Sequence, residues 1–245
     1  MIAFAAIQAA VLAQLTICGW VLPALSGPIR SFDVPVPERE SARALDRAVR
    51  RWYRMLVLAA GAVVTAVTLA ATWHGTVTAI GQGTTAAIAS LFLLGCLARW
   101  HARAALVRAL ADLPDEAVPA ATPGGGRFPG RWVLPVIGVL ALTVAVGAAR
   151  YRGLPPALTV RWSGGLADGS ATTTAEAAFS LVPAQLLLGL TTLAALGSGW
   201  PGGTAQPAAS ARRTARAVLA LCGIAQLCLF GGSLVLWGLL PAPPA

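Results

Sequence analysis

The chain has 245 residues, 57% of them apolar and 11% charged, whereas an ordinary soluble domain is about half apolar and about a quarter charged. That mixture argues against a water-soluble fold, and at roughly 20 apolar residues per crossing it suffices for about six membrane spans with little left for a separate soluble core. The net charge of +9 comes from 18 arginines and no lysine against nine acids, so its placement along the chain has to be explained before nucleic acid is invoked.

Six apolar stretches follow one another, at about 2–25, 55–80, 84–98, 132–149, 175–196 and 217–240. The expected fold is therefore all-α: one polytopic membrane domain, 1–245, built as a bundle of about six transmembrane helices. The first stretch lacks a positive leader region and exceeds the apolar core of a secretory signal, so it is expected to be a permanent span. Among the six, only Glu176, at the start of the fifth, carries a charge. Cys18, Cys96, Cys222 and Cys228 all fall inside apolar stretches without a C-x-x-C pair, and they are expected to be small buried apolar residues. Pro183 is expected to bend the fifth span.

The connecting segments divide the arginines unequally. Segments 26–54, 99–131 and 197–216 hold fifteen of them, while the N-terminus, the 74–83 turn, the 150–174 loop and the C-terminal tail hold Arg150, Arg152 and Arg161. By the positive-inside rule the Arg-rich set is cytoplasmic and both termini lie outside. Seven of the eight tryptophans (Trp20, Trp52, Trp73, Trp100, Trp132, Trp200 and Trp237) fall near the ends of these stretches, the level an amphipathic ring prefers. Only Trp162 sits in mid-loop. The expected location is a bacterial cytoplasmic membrane, the composition being that of a GC-rich genome.

Two of the connecting segments have helical periodicity. From Ser41 onward, Ala42, Leu45, Val49 and Trp52 share one face and Arg43, Arg47, Arg50 and Arg51 another, predicting a basic amphipathic helix lying along the inner leaflet. After the third stretch, Leu97, Trp100, Ala104, Val107 and Ala111 predict a second one. Residues 114–130, rich in proline and glycine, make a linker. Gly124, Gly125 and Gly126 are no phosphate loop, because no strand precedes them and no Lys-Ser/Thr follows. The 150–174 segment is the one sizeable external loop: Leu158 to Trp162 favours a strand, Gly164-Gly165 and Asp168-Gly169 favour turns, and together they predict a small hairpin-like cap. Thr173 and Glu176 have capping-box spacing ahead of the fifth span. His74 and His101 are expected to be interfacial residues.

Two elements carry a resemblance. Tyr151-Arg152-Gly153-Leu154-Pro155, then Leu158 to Trp162, then Gly165 to Gly169, resemble the pattern L-P-x-x-I-P-x-H-W-x-x-x-G-x-P-D of a bacterial domain of unknown function found in SdpI-type toxin-immunity membrane proteins. Ser31-Phe32-Asp33-Val34-Pro35-Val36-Pro37-Glu38-Arg39, followed by Arg50-Arg51-Trp52-Tyr53-Arg54, is similar to the F-G-V-R-V-P element and R-R-x-Y-R end that often precede that domain. The chain departs from the pattern at Thr159 (proline in the family), at Arg161 (histidine), at Asp33 (glycine) and in a Trp162-to-Asp168 spacing one residue short. The resemblance implies an outer recognition loop including Leu154, Pro155, Arg161, Trp162 and Asp168, and a cytoplasmic contact face including Phe32, Pro35, Pro37, Arg47, Arg50 and Arg51.

Intramembrane enzymes and proton-coupled transporters keep costly ionisable groups inside the bilayer, and these stretches have almost none. Gln8, Gln14, Thr65, Thr68, Thr143, Gln185, Thr191, Thr192 and Gln226 are expected to bond neighbouring helices, with the rows Ala5-Ala9-Ala13 and Ala62-Ala66-Ala70 packing closely. The expected function is non-catalytic, without cofactor or metal: toxin immunity or envelope signal sensing through the external loop. Its expected partners are the lipid bilayer, an extracellular peptide or toxin, and a membrane or cytoplasmic protein, with no nucleic acid. The alternatives are a permease or transporter subunit for a neutral or lipid-like substrate, and a scaffold binding a subunit through the Arg-rich inner face.

Overall fold

A computed structural model describes residues 2–25, 30–32, 34–37, 40–72, 77–111, 130–154, 157–163, 166–172, 174–199 and 209–239. Helices dominate: α1 (Ile2–Leu25), α2 (Glu40–Thr72), α3 (Val77–Ala111), α4 (Leu134–Arg150), the single turn α5 (Ala175–Ala178), α6 (Val182–Gly199) and α7 (Ala209–Leu236). Two small antiparallel hairpins join them, β1 (Arg30–Ser31) with β2 (Val34–Pro35) and β3 (Ala157–Ser163) with β4 (Leu166–Thr172). Five helices are long and apolar enough to cross a membrane, and Val182–Gly197 of α6 forms a shorter apolar helix.

The long helices run alternately up and down, so the Arg-rich segments meet at one end and the β3–β4 hairpin stands at the other. Gln8 near the start of α1 donates to Thr84 Oγ1 (2.8 Å) in the first part of α3, while Arg50, Tyr53 and Gly61 along α2 meet Pro23, Gly19 and Thr16 of α1 in reverse order. The main core lies between α1, α3, α6 and α7, where Val11, Leu12, Ile88, Leu188, Cys222 and Leu229 interlock. α2 and α4 are peripheral, and their outer faces present Met55, Val63, Val67, Leu134 and Ile137, each more than half exposed. Such contiguous apolar exterior is what a bundle solvated by lipid tails requires and what water would penalise.

Helix bounds differ from the sequence expectation in an informative way. α2 and α3 are single helices of 33 and 35 residues, about 50 Å each at 1.5 Å per residue, whereas a hydrocarbon core is about 30 Å thick. The amphipathic segments are therefore collinear extensions of long apolar helices, and not separate helices. The α2–α3 turn also falls between Thr72 and Val77, so Val77 to Gly83 belong to α3.

What covers the amphipathic faces explains the extension. Ala42, Leu45, Val49, Tyr53 and Val57 of α2 meet Ala98, Ala102 and Leu106 of α3, with Phe32, Val34 and Val36 of the β1–β2 hairpin packed against them. The buried stripe of α3 is thus on the side opposite the expected face: Leu97, Trp100 and Val107 are exposed, while Ala98, Ala102 and Leu106 are buried. Two side chains small enough for close approach, spaced four apart, let α2 come near, which large neighbours would prevent. The row Ala62-Ala66-Ala70 is likewise exposed. The close α1–α2 approach is made instead at Gly61, whose missing side chain leaves room for Thr16, and at Gly19, against Val57.

Pro183 does not bend a helix. The chain breaks after α5, and Pro183 occupies the first turn of α6, where its missing N–H costs nothing. Cys18 and Cys222 are buried as expected, but Cys96 is exposed on the outer face of α3. His101 is exposed and its ring meets Trp100 edge-on, with centroids 4.9 Å apart. The 112–129 linker residues, His74, Trp73 and Trp200 lie outside the described residues.

Candidate functional site

At the hairpin end, the chain builds a platform under β3–β4. α7 ends in a paired turn in which Gly238 N–H donates to the Val235 carbonyl (3.0 Å) and Leu239 N–H to the Leu234 carbonyl (2.9 Å). This closure needs a left-handed residue, which Gly238 supplies at φ +69°. The turn aims Trp237 inward, where it is buried and donates its indole N–H to the Ala178 carbonyl at 2.8 Å. Phe179 packs edge-on against Trp237 and Tyr151 lies beside Phe179. Gly147 of α4 makes room for both rings: a Cβ there would come within 2.9 Å of Trp237. Leu154 fills the remaining edge of this aromatic group.

The α5 turn that follows β4 is fixed from three sides. Thr174, and not Thr173, caps it, accepting the Ala177 N–H at 3.2 Å. Glu176 lies in the first turn, where a carboxylate suits the helix dipole, and accepts a bond from Gln82 of α3 at 2.9 Å. Gly81, adjacent to Gln82, touches the Ser180 backbone directly. Both strands of the hairpin therefore spring from backbone that is held by buried contacts.

The hairpin itself pairs Ala157 with Thr172 through Ser163 with Leu166. Its register shifts by one residue between Thr159 and Arg161 and back again between Arg161 and Trp162, leaving Val160 and Asp168 as unmatched residues on opposite strands. Asp168-Gly169 is thus not a turn. It lies inside β4 at a bulge, a place where an extra residue can be absorbed by bending the strand. The residues expected in the recognition loop are placed as follows. Leu154 is half buried as part of the platform; Arg161 and Trp162 lie on β3, opposite Gly169 and Ala167; and Asp168 is the bulged residue between those two partners. Pro155 lies outside the described residues.

At the Arg-rich end, the expected contact face is not one surface. Phe32 is 2% exposed, its ring packed edge-on to Tyr53 at 5.1 Å, and it adopts φ +50°. A bulky residue takes that conformation only when burial outweighs the strain, so Phe32 is an internal wedge between α2 and α3. Arg50 is likewise committed: it pairs with Asp46 at 2.9 Å and donates to the Pro23 carbonyl, also at 2.9 Å, in the last turn of α1. Arg47 and Arg51 remain exposed, and Pro37 is half buried; Pro35 ends β2. The burial of Phe32 corrects the expectation because a surface helix leaves that apolar face open, whereas the projecting α2–α3 pair needs a wedge to fill it.

In the middle of the bundle, Gln185 and Gln226 each donate a side-chain amide hydrogen to the other's backbone carbonyl, at 3.2 and 2.6 Å, joining α6 to α7. Both are fully buried. Thr68, Thr143 and Thr191 return their hydroxyls to carbonyls of their own helices, and Ser233 does the same. We expect Gln226→Leu to destabilise the folded bundle by about 0.6–2 kcal/mol, the span of interhelical hydrogen bonds in membranes. Denaturant unfolding in detergent micelles, followed by far-UV circular dichroism, measures it; an unchanged midpoint would remove the pair from the helix-locking role.

No family model, curated protein or solved structure matches the chain. Function therefore has to be argued from these two ends and the polar groups between them. Among the described residues no group of three or more His, Cys, Asp or Glu comes together in a way that could hold a metal ion. Sequence reasoning missed Trp237, Gly81 and Gly147 as determinants of the hairpin platform. Trp237 was visible only as an interfacial tryptophan, and nothing in the spacing of the two glycines reveals which neighbour approaches them.

Proposed function

We propose that this chain is a six-span bacterial inner-membrane protein of the SdpI-like kind, with both termini and the β3–β4 hairpin outside. On this reading it recognises an extracellular peptide or toxin, or an envelope signal, without catalysing a reaction. α6 supplies the crossing that brings the five long helices to six, its 18 residues covering about 27 Å at 1.5 Å per residue, close to the hydrocarbon thickness. Arginine placement sets the orientation.

The observation that carries the reading is the platform. A lone two-stranded hairpin is marginal in water, yet here the chain after β4 is fixed by the Trp237–Ala178 bond, the capped α5 turn and the Gly81–Ser180 contact, and the chain before β3 by Leu154 packed against Trp237. A fixed base under a hairpin is the arrangement a recognition element needs, because binding groups held in place lose less freedom on association. The buried polar side chains described within the apolar stretches are amides and hydroxyls, many of them spent on helix–helix or intrahelical bonds, which suits a support more than a proton path.

The test replaces residues 157–172 by a glycine-serine linker of equal length in a strain whose own copy is deleted. Challenge with secreted toxins of neighbouring strains should kill cells carrying the linker variant and spare those carrying the intact chain, at equal membrane levels. Equal survival across a broad toxin panel, with and without the gene, would sink the immunity reading.

A second reading has one observation in its favour. The side-chain carbonyl oxygens of Gln185 and Gln226 are buried and meet no hydrogen-bond donor in the described structure, as acceptors for a neutral donor substrate in a permease would. Substrate-dependent flux in proteoliposomes, lost in Gln185→Ala, would favour transport over recognition.

A further inference from the structure

We propose that the α1–α2 seam at the Arg-rich end is a binding site for an anionic phospholipid, its phosphate held by Arg54 and its acyl chain lying along α2.

The guanidinium of Arg54 sits over the Trp20 ring, 4.8 Å from the centroid. Stacking fixes the plane of the fork, so little freedom is left to lose when it accepts an anion. Among the described residues no carboxylate neutralises it, because the nearest acid on α2, Asp46, is paired with Arg50. Its Nε is buried without a hydrogen-bond acceptor. A partly buried charge in that condition favours an anion nearby, and the guanidinium matches a phosphate diester in shape and charge.

The surroundings say which anion. Residues three and four apart share a helix face; here Arg47, Arg51 and Arg54 are followed on that face by Met55 and Leu58. Arg47 and Arg51 are exposed; Met55 and Leu58 are 63% and 45% exposed, and on α1 Ile17, one turn before Trp20, is 45% exposed. Basic groups thus stand directly above open apolar surface, with Trp20 and Trp52, both partly exposed, at the level between. A soluble phosphate would use the upper half alone, and an acidic protein would leave the lower half to other lipids. A phospholipid uses both.

The same end carries a second such stack, Arg216 over Trp132 at 5.9 Å, but its geometry is looser. The α1–α2 seam is the tighter and is the one assigned. The proposal rests on the bundle lying in a bilayer, and recovery of the full chain in the membrane fraction checks that separately.

Native mass spectrometry of the full chain, released from nanodiscs of equal dioleoylphosphatidylglycerol and dioleoylphosphatidylcholine, tests it. At about one kcal/mol per arginine near an anionic surface, the wild type should retain the glycerol lipid about five-fold over the choline lipid. Arg54→Gln should abolish that preference, while Arg108→Gln, whose side chain is on α3 and bonds its own helix, should leave it intact. If Arg54→Gln does not fold, Trp20→Leu removes the stacking surface and should lower the preference with Arg54 present. Equal retention of the two lipids overturns the proposal, as does a preference that survives both substitutions. Displacement of the lipid by excess inorganic phosphate, or by an acidic polypeptide, likewise overturns it.

Discussion

Trp237→Ala should destabilise the protein by about 3–5 kcal/mol, the usual consequence of removing a large buried aromatic side chain. The loss has two parts. Packing against Phe179 and the open face of Gly147 goes, and the Ala178 carbonyl loses its indole donor. Trp237→Phe separates them, because a phenyl ring keeps most of the packing but donates nothing; it should cost about 1–2 kcal/mol for the hydrogen bond and the smaller volume. Thermal unfolding in detergent, followed by far-UV circular dichroism so that loss of a fluorophore does not confuse the signal, gives both values. Limited proteolysis should show cleavage within 155–173 rising in Trp237→Ala before global unfolding, since α5 is tied to α7 through this contact. Wild-type stability in the alanine variant would mean that the platform is not held as described.

Gly81→Ala should act at the same root of the hairpin, two residues further along the chain, and here the obstacle is backbone. A methyl group on Gly81 would stand 2.8 Å from the Ser180 carbonyl carbon and 2.9 Å from its Cβ, closer than nonbonded carbons pack. A flexible side chain could turn aside; the peptide between α5 and α6 cannot without moving the helix ends it joins. Overpacking in a close-packed core costs about 1–3 kcal/mol, and the upper part of that range is expected. Gly138→Ala on α4 is the control, since a Cβ there meets nothing within 4 Å, and replacing a helical glycine by alanine favours the helix by about 1 kcal/mol. Opposite signs for the two substitutions in the same unfolding assay would establish that contact, and not helix propensity, governs Gly81. A stabilising Gly81→Ala would show that α3 and the α5–α6 connection stand further apart.

The two substitutions probe one mechanical idea. β3–β4 is connected to the bundle through Leu154 on one side and Thr174 on the other, and both connections lead to the Trp237 and Gly81 contacts. On the proposed recognition reading, loosening either should weaken the response to the ligand before it unfolds the bundle. That order distinguishes a supported recognition element from a loop that merely closes two helices.

Much of this was legible in the sequence, for reasons that are local. Apolar runs of about 20 residues predict helices able to cross a membrane because a helix satisfies its backbone groups within the one segment, and five such helices are present, with α6 a shorter apolar companion. The β3–β4 hairpin was legible from a β-favouring run beside glycine pairs. Helix ends without strong stop signals were not: no glycine or proline marks the junction at Arg54, so α2 runs through it, and the amphipathic segment becomes an extension.

The sequence by itself determined which segments are apolar, where positive charge collects and which residues favour turns, since each depends on a residue and its near neighbours. Tertiary structure alone decided which face of an amphipathic helix is covered. Phe32 becomes a buried wedge because α2 and α3 lie side by side with a groove to fill, and Arg54 acquires Trp20 as a platform because the last turns of α1 lie beside the middle of α2. Gly81 matters because a backbone 99 positions away occupies its missing side chain. These are contacts between distant parts of the chain, set by helix packing, and no pattern within one helix encodes its partner.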